Sequence, residues 1–282
     1  MKKFLAIICA ACLLMTGCGG EQGGNSGNEN AQTSEIKLGM ITRLNATEKT
    51  MNEIYNKIFK ETKLKFTPYK VFYYDNLKTM QMGIESGIVD EISLYDSVAN
   101  YLIANNDKYV VVEEKSSKDL SDSFCFAMRK DDTALKANID KAIAEMKADG
   151  TLDKLVKDYI TDVDKTNPPA IEIPTIDGAD TIKIGVTGDL PPLDYVSADG
   201  KPAGFNTAIL AEIAKRLGKN IEIIVTDSGA RAAALSSKQI DIIFWAILPV
   251  NDNVPSYIDK PEGLELSAPY FRDDVVHIKL KN

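Results

Sequence analysis

The chain has 282 residues, 44% of them hydrophobic and 26% charged, with a formal net charge of -8. That is globular composition with room for one large domain or two lobes. No basic stripe interrupts the acidic balance outside the first residues, which excludes nucleic acid as a partner and argues against tight binding to anionic headgroups.

The first elements are a targeting segment and a tether. Lys2 and Lys3 precede an apolar run from Phe4 to Met15, shorter than the ~20 residues that span a bilayer, so residues 1–17 read as a secretory signal peptide. The following stretch, residues 18–35, is Gly/Asn/Ser/Gln-rich and has no apolar periodicity, so it reads as a flexible tether. Cys9 and Cys12 fall in the signal. Of the four cysteines only Cys125 lies in the body of the chain, between Phe124 and Phe126, where it reads as a small buried hydrophobe. With a single His, no zinc site of the usual ligand set is expected, and no cofactor motif is present.

Residues 36–42 (IKLGMIT) predict a buried strand. Asn45-Ala46-Thr47-Glu48 has the form of a capping box opening a helix near Thr47, with Met51, Ile54 and Ile58 on its apolar face. A strand over Tyr69–Tyr74 is followed by a helix capped by Asp75, carrying Leu77, Met80 and Ile84 and closing at Gly87. Val89–Leu94, Val110–Val112 and Phe124–Met128 predict strands, Ser97–Ile103 a helix, and residues 133–149 a longer helix with Leu135, Ile139, Ile143 and Met146 inward. Residues 161–181, with three prolines, read as an extended connector. The alternation then resumes. IKIGV is a strand; Phe205, Ile209, Ile213 and Leu217 space a helix; IEIIV is a strand, Gly229–Ser236 a helix and IDIIFWA a strand. A loop over Leu248–Leu266 and a last strand over Asp274–Leu280 complete the chain. Strand–helix alternation predicts α/β architecture with a mostly parallel sheet.

Several blocks resemble the bacterial extracellular solute-binding proteins of family 3. GDLPPLDY with DGKPAGFNTAIL resembles the opening strand, loop and helix of that family, SSKQIDII its L-x-S-G-x-x-D block, and LSAPYFRDDVV its S-x-P-Y strand. YYDNLKTMQMGIESGIVDEISLYDSVANYLI resembles its second-lobe block, and MRKDDTALKANIDKAIAEMKADGTLDKLVKDYI its C-terminal helices. The blocks that close the family stand first here. The resemblance therefore implies a two-lobe type II periplasmic-binding-protein fold in circularly permuted order. Residues 36–123 would form lobe B, 124–129 a hinge strand, 130–160 helices packed on lobe A, 161–181 the connector, and 182–282 lobe A. The second hinge strand would be cut by the new termini, leaving one covalent crossing.

Met15-Thr16-Gly17-Cys18 resembles a lipoprotein processing site, with Met15 where Leu is the norm. It implies a lipid on Cys18 and a membrane anchor on the extracytoplasmic face. The implied role is capture of a small polar, carboxylate-bearing or amino-acid-like molecule for an ABC transporter permease, by a monomer that does no chemistry. Alternatives are a sensor feeding a signalling protein, a dehydratase-like enzyme with Asp189 or Asp96 as acid or base, and a domain-swapped dimer.

The resemblance also nominates site residues. Ser228 and Arg231 match a Ser-x-x-Arg in which both side chains meet a ligand carboxylate, and a guanidinium fork at a helix start suits that task. The plain alternative is a solvated Arg in a first helical turn. Asn45, Ala46 and Thr47 stand where amides and hydroxyls meet a carboxylate, or simply cap the helix, and Thr42 and Arg43 precede them. Asp189, Leu193 and Tyr195 belong to a loop at a strand end, with Leu193 where the family has an aromatic. Trp245 either supplies that flat surface or packs in the core. The family's T-x-x-R arginine is replaced by Val250 and a Pro-rich loop, and Tyr95 stands where an Asp would receive an α-amino group, with Asp96 next. His277 reads as structural, Asp131-Asp132 as a helix cap, and Asp273-Asp274 as a solvated loop.

Overall fold

A computed structural model describes residues 35–62, 68–112, 120–165, 168–197, 200–250, 252 and 254–281. The signal, the tether up to residue 34 and Cys18 lie outside the described residues. Residues 33–282 form one compact unit.

Strand β1 (Ile36–Ile41) leads into helix α1 (Glu48–Thr62), then β2 (Tyr69–Tyr74), α2 (Leu77–Glu85), β3 (Glu91–Tyr95), α3 (Asp96–Asn105) and β4 (Tyr109–Val111). Strand β5 (Ser121–Arg129), α4 (Thr133–Ala148) and α5 (Thr151–Val156) follow, with a π turn at Lys157–Thr161. After the connector come β6 (Thr181–Val186), a small hairpin of β7 (Asp189–Leu190), β8 (Asp194–Val196) and β9 (Pro202–Ala203), and α6 (Phe205–Leu217). The chain closes with β10 (Asn220–Val225), a 3-10 turn at Ser228–Ala230, α7 (Arg231–Ser236), β11 (Ile242–Pro249), β12 (Leu264–Leu266) and β13 (Phe271–Leu280). The short hairpin is an addition to the expected elements, because its two- and three-residue strands carry no readable period.

The main sheet runs β10-β6-β11-β5-β13-β3-β1-β2, with β12 on β5 and β4 on β13. Its two ends are parallel: β1 lies between β2 and β3, and β6 between β10 and β11. The middle is antiparallel, because β5 pairs with β11, β12 and β13, and β13 pairs with β3 and β4. The sheet is thus less parallel than the alternation predicts. A βαβ pattern reports the local crossovers and is silent on strands that join two such units.

Strand β13 crosses from one parallel end of the sheet to the other. Its residues Phe271–Asp274 pair with β5, and Val275–Leu280 pair with β3 and β4. Residues 275–280, expected in lobe A, therefore complete the sheet of lobe B, and β13 crosses without a break. Segment 124–129 pairs with β11 on one side, and on the other with β12 through residues 127–129 and with β13 at Phe124. The alternation of VHIKLK gives the faces of that strand but cannot name its partners.

The helices follow their apolar spacing, and the caps differ in detail. Helix α2 is capped by Asn76, whose Oδ1 accepts the Thr79 amide at 2.9 Å, rather than by Asp75. Helix α1 is capped by Thr47, whose hydroxyl accepts the Thr50 amide at 3.1 Å. The capping box centred on Asn45 does not form: Glu48 instead accepts the Tyr73 amide of β2 at 2.9 Å. Asp132 pairs with Arg129 at 2.7 Å rather than accepting a cap bond. Helix α2 meets β2 so closely that a Cβ on Gly83 would lie 2.1 Å from the Tyr74 hydroxyl oxygen.

One core of buried side chains runs through both ends of the sheet, from Leu38, Val71 and Ile92 to Ile184, Phe205 and Ile242, and a smaller one lies under α7 around Leu235 and Ile243. Cys125 is fully buried in β5, and burial pushes its thiol up to about 12, so it packs as an apolar group. His277 lies buried beside Glu91, with Nδ1 3.3 Å from Oε2, and beneath Tyr69. Asp273, expected in a solvated loop, is half-buried in β13 and accepts the Ser97 amide at 3.2 Å and the Ser97 hydroxyl at 2.6 Å. Burial raises its carboxyl to about 6.

Candidate ligand-binding site

Parallel strands present their C-terminal ends on one edge, where the chain turns into helices and leaves a crevice. Here two such edges face each other across β5 and β13. From lobe B come the ends of β1 and β3, and from lobe A the loop after β6 and the end of β11. Between them lies a small cavity of about 20 Å³, about the space one water molecule needs. Met40, Ile41, Arg43, Ser93, Leu94 and Tyr95 line it from lobe B, Leu190 and Trp245 from lobe A, and Val275 from the crossing strand.

Its polar corner is Arg43, Tyr95 and Asp122. Arg43 Nη1 donates to the Tyr95 hydroxyl at 3.4 Å, and that hydroxyl donates to Asp122 Oδ2 at 3.0 Å. Arg43 Nη2 stands 4.0 Å from the same carboxylate. Burial raises the Asp122 carboxyl, and Arg43 and the Tyr95 hydrogen bond only partly offset that. Burial alone would lower Arg43, but Tyr95, Asp259 and Asp122 outweigh it and hold the guanidinium firmly charged. Tyr95 is pushed well above its ordinary value, by burial first and by Asp122 second.

Trp245 is almost fully buried, edge-on to Tyr95 at 6.0 Å. Arg231 lies behind it. Its guanidinium stands 5.0 Å from the Trp245 ring centre, and Nη1 donates to the Trp245 carbonyl at 2.7 Å. Burial lowers the pKa of Arg231, opposed by Asp259 and Asp194. Arg231 is therefore not one of the cavity-lining side chains, and it supports the wall that Trp245 makes. Ser228 is buried with its hydroxyl unpartnered among the described residues, and its amide donates to the Asp75 carbonyl of lobe B at 3.1 Å.

The other nominated residues are spread around the seam. Thr42 donates through Oγ1 to the Tyr74 carbonyl at 3.1 Å and to Asp75 Oδ1 at 3.2 Å. The amides of Asn45 and Ala46 donate to the Ile258 carbonyl at 2.9 and 3.0 Å, and Asn45 Nδ2 to the Tyr257 carbonyl at 2.8 Å. Asp189 accepts the amide of Lys78 at 3.3 Å and that of Leu77, at the first turn of α2. Leu193 is fully buried in the core behind a turn, and Leu190 takes the place at the cavity wall. Asp96 stands in the first turn of α3 and accepts Asn100 Nδ2 at 2.7 Å.

Sequence reading placed Arg43 near the cleft but missed Asp122 and Asp259. An Asp inside the strand SDSFCFAM is a visible signal, because a charged group in an apolar run needs a buried partner. Asp259 gave none. It lies in a Pro-rich loop, and its partner Leu44 is 215 positions away.

The model for bacterial extracellular solute-binding proteins, family 3, matches residues 51–162 and 182–251. The chain belongs to this family. Its two-lobe α/β sheet is the type II periplasmic-binding architecture. As a member of the family the chain is similar, at 28% identity over 102 residues, to a probable histidine-binding protein of Campylobacter jejuni, covering 36% of this chain and 37% of that one. The L-cystine-binding protein TcyJ of Escherichia coli is 28% identical over 90 residues, 32% of this chain and 31% of its own length. The chain thus spans about a third of the length of the curated relatives it matches. Among solved structures, the zinc-bound ligand-binding component of an ABC-type import system from Staphylococcus aureus is 11% identical. It covers 87% of this chain and 65% of its own, with a TM-score of 0.42. No helix among the described residues is long and apolar enough to cross a membrane, and none of them form a cluster able to hold a metal ion.

Proposed function

We propose that this family member is a lipid-anchored extracytoplasmic receptor that captures a small, amino-acid-like, carboxylate-bearing solute and presents it to an ABC importer, without chemistry of its own. The observation that carries the reading is the cavity lined from both lobes and from the strand that crosses between them. A solute there touches both lobes at once, and such contacts favour the closed state over the open one. Trp245, Leu190 and Met40 offer an apolar wall, and Arg43 supplies a charged donor. Arg231 and Ser228 hold that wall from behind, while Thr42, Asn45, Ala46, Thr47, Tyr95 and Asp189 set the lobe edges around it. The relatives named for amino acids favour that class of solute. Cys18, after an apolar leader and before a Gly-rich tether, supports the anchor.

The lobe order is read as a circular permutation. Strand β13 ends beside β3, which lies beside β1, and the pairings Leu280 to Tyr109 and Lys37 to Asp90 bring both ends to one edge of the sheet. Two strand spacings separate them, about 10 Å. A short loop from β13 to β1, with the connector opened, restores the order in which the family blocks usually stand. Strand β13 completes both sheets within one chain, which favours a monomer.

The test is a thermal-shift screen of the protein against amino acids, small carboxylates, amines and peptides, beside Arg43→Gln and Arg231→Ala. Saturation at about 100 times the dissociation constant adds about 2.7 kcal/mol of stability. A stabilising solute whose effect falls in Arg43→Gln supports the reading. Complete silence across the panel contradicts it.

A further inference from the structure

The amides that the family resemblance assigns to a ligand carboxylate are occupied in this chain by the chain itself. The turn at Pro255–Lys260 reaches from lobe A to the start of α1. There the Ile258 carbonyl accepts the amides of Asn45 and Ala46, and Asp259 Oδ1 accepts the Leu44 amide at 2.7 Å. The second oxygen, Oδ2, accepts the Ile247 amide of β11 at 3.1 Å. Asp259 is fully buried. It also lies close enough to Arg43 and Arg231 to favour the charged form of both.

A carboxylate held by the Leu44 amide on one side and the Ile247 amide on the other sits in an anion site. Two unused donors line the cavity. Arg43 Nε and Trp245 Nε1 belong to cavity-lining side chains, and neither has a partner among the described residues. Arg43 and Arg231 share their surroundings with the buried acids Asp122, Asp194 and Asp259, and leaving a buried charge unpaired is costly.

We propose that Asp259 is a tethered ligand. Its carboxylate fills the anion position between the lobes when no solute is bound, and a carboxylate-bearing solute competes with it for the amides of Leu44 and Ile247. This inference rests on the receptor reading for the identity of the competitor, but the anion site itself does not depend on any solute. The unliganded protein is thereby held closed by its own side chain. Solute affinity is set by the difference between two carboxylates in one place rather than by the strength of one.

Acetate tests this. In Asp259→Gly of the full chain the removed side chain, a methylene and a carboxylate, leaves a vacancy the size of acetate, so acetate should raise Tm by about 2–4 °C at several-fold excess over its dissociation constant. Chloride at equal ionic strength should not, and wild type should gain nothing from either salt. Asp259→Asn keeps the volume and should also gain nothing. Should Asp259→Gly not fold in chloride, recovery of folded protein on refolding in acetate carries the same information. A variant that folds and ignores acetate, one that stays unfolded in both salts, or an acetate gain shared by Asp259→Asn would overturn the proposal. Solute binding by wild type together with an acetate-blind variant would retain the receptor reading and discard the tethered carboxylate. An acetate response with no solute binding would do the reverse.

Discussion

The Asp189 carboxylate of lobe A accepts the backbone N–H of Lys78 in lobe B at 3.3 Å, so an acid on one lobe caps the first turn of a helix on the other. The helix end favours the anion, yet burial costs more and lifts the carboxyl from 3.8 to about 6.

That shift has a sign. Between 3.8 and about 6 the folded protein holds a proton on Asp189 that the unfolded chain has lost. Stability should therefore fall as pH rises through that window and level off above it. Asp273, also raised to about 6, adds a slope of the same sign. Chemical denaturation from pH 4 to 7 should show Asp189→Asn flattening part of the slope and Asp189→Asn/Asp273→Asn flattening more of it. An unchanged slope in both variants would mean that neither carboxyl is the source.

Gly83 stands where α2 meets the Tyr74 ring, and a Cβ there would lie 2.1 Å from the hydroxyl oxygen and 2.6 Å from Cζ. Alanine is the better helix former by about 1 kcal/mol, but a rigid ring cannot step aside without disturbing β2. Gly83→Ala should lose about 1–3 kcal/mol in urea unfolding. The double variant Gly83→Ala/Tyr74→Ala should be less sensitive to the added methyl than the single one, a coupling that a double-mutant cycle reads directly.

Arg43 is the positive partner of a buried acid. In Arg43→Leu the Asp122 carboxylate keeps its Tyr95 hydrogen bond and loses its counter-charge. The expected cost at neutral pH is about 3–5 kcal/mol. Burial already raises the Asp122 carboxyl, so acid should protonate it and shrink the deficit. Equal losses at pH 5 and pH 7.5 would place the cost in packing rather than charge.

The family blocks and the periodicity of the helices made the two-lobe α/β class legible, because those signals are local. Met51 and Ile54 follow one another at helical spacing whatever lies across the sheet. The crossing role of β13 was not legible, since Val275 pairing with Tyr95 is a fact about two segments 180 residues apart in sequence. The site divided in the same way. Trp245 and Arg43 were within sight as an aromatic at a strand end and a guanidinium before a helix. Arg231 was read as a clamp because a helix-start Arg has the right chemistry. Its burial behind Trp245 depends on how β11 and α7 pack, which spacing does not encode. Asp259 was hidden because a Pro-rich loop carries no period to read.

The measurement that bears most directly on the solute-binding account is a fluorescence titration. Trp245 is the only tryptophan, and it forms part of the cavity wall beside Tyr95, so its emission reports the proposed site alone. A solute that stabilises the protein should shift or quench that emission along a saturable curve, with the same dissociation constant that the thermal shift gives. A solute that raises Tm while Trp245 emission stays constant through saturation would place binding elsewhere and contradict the account.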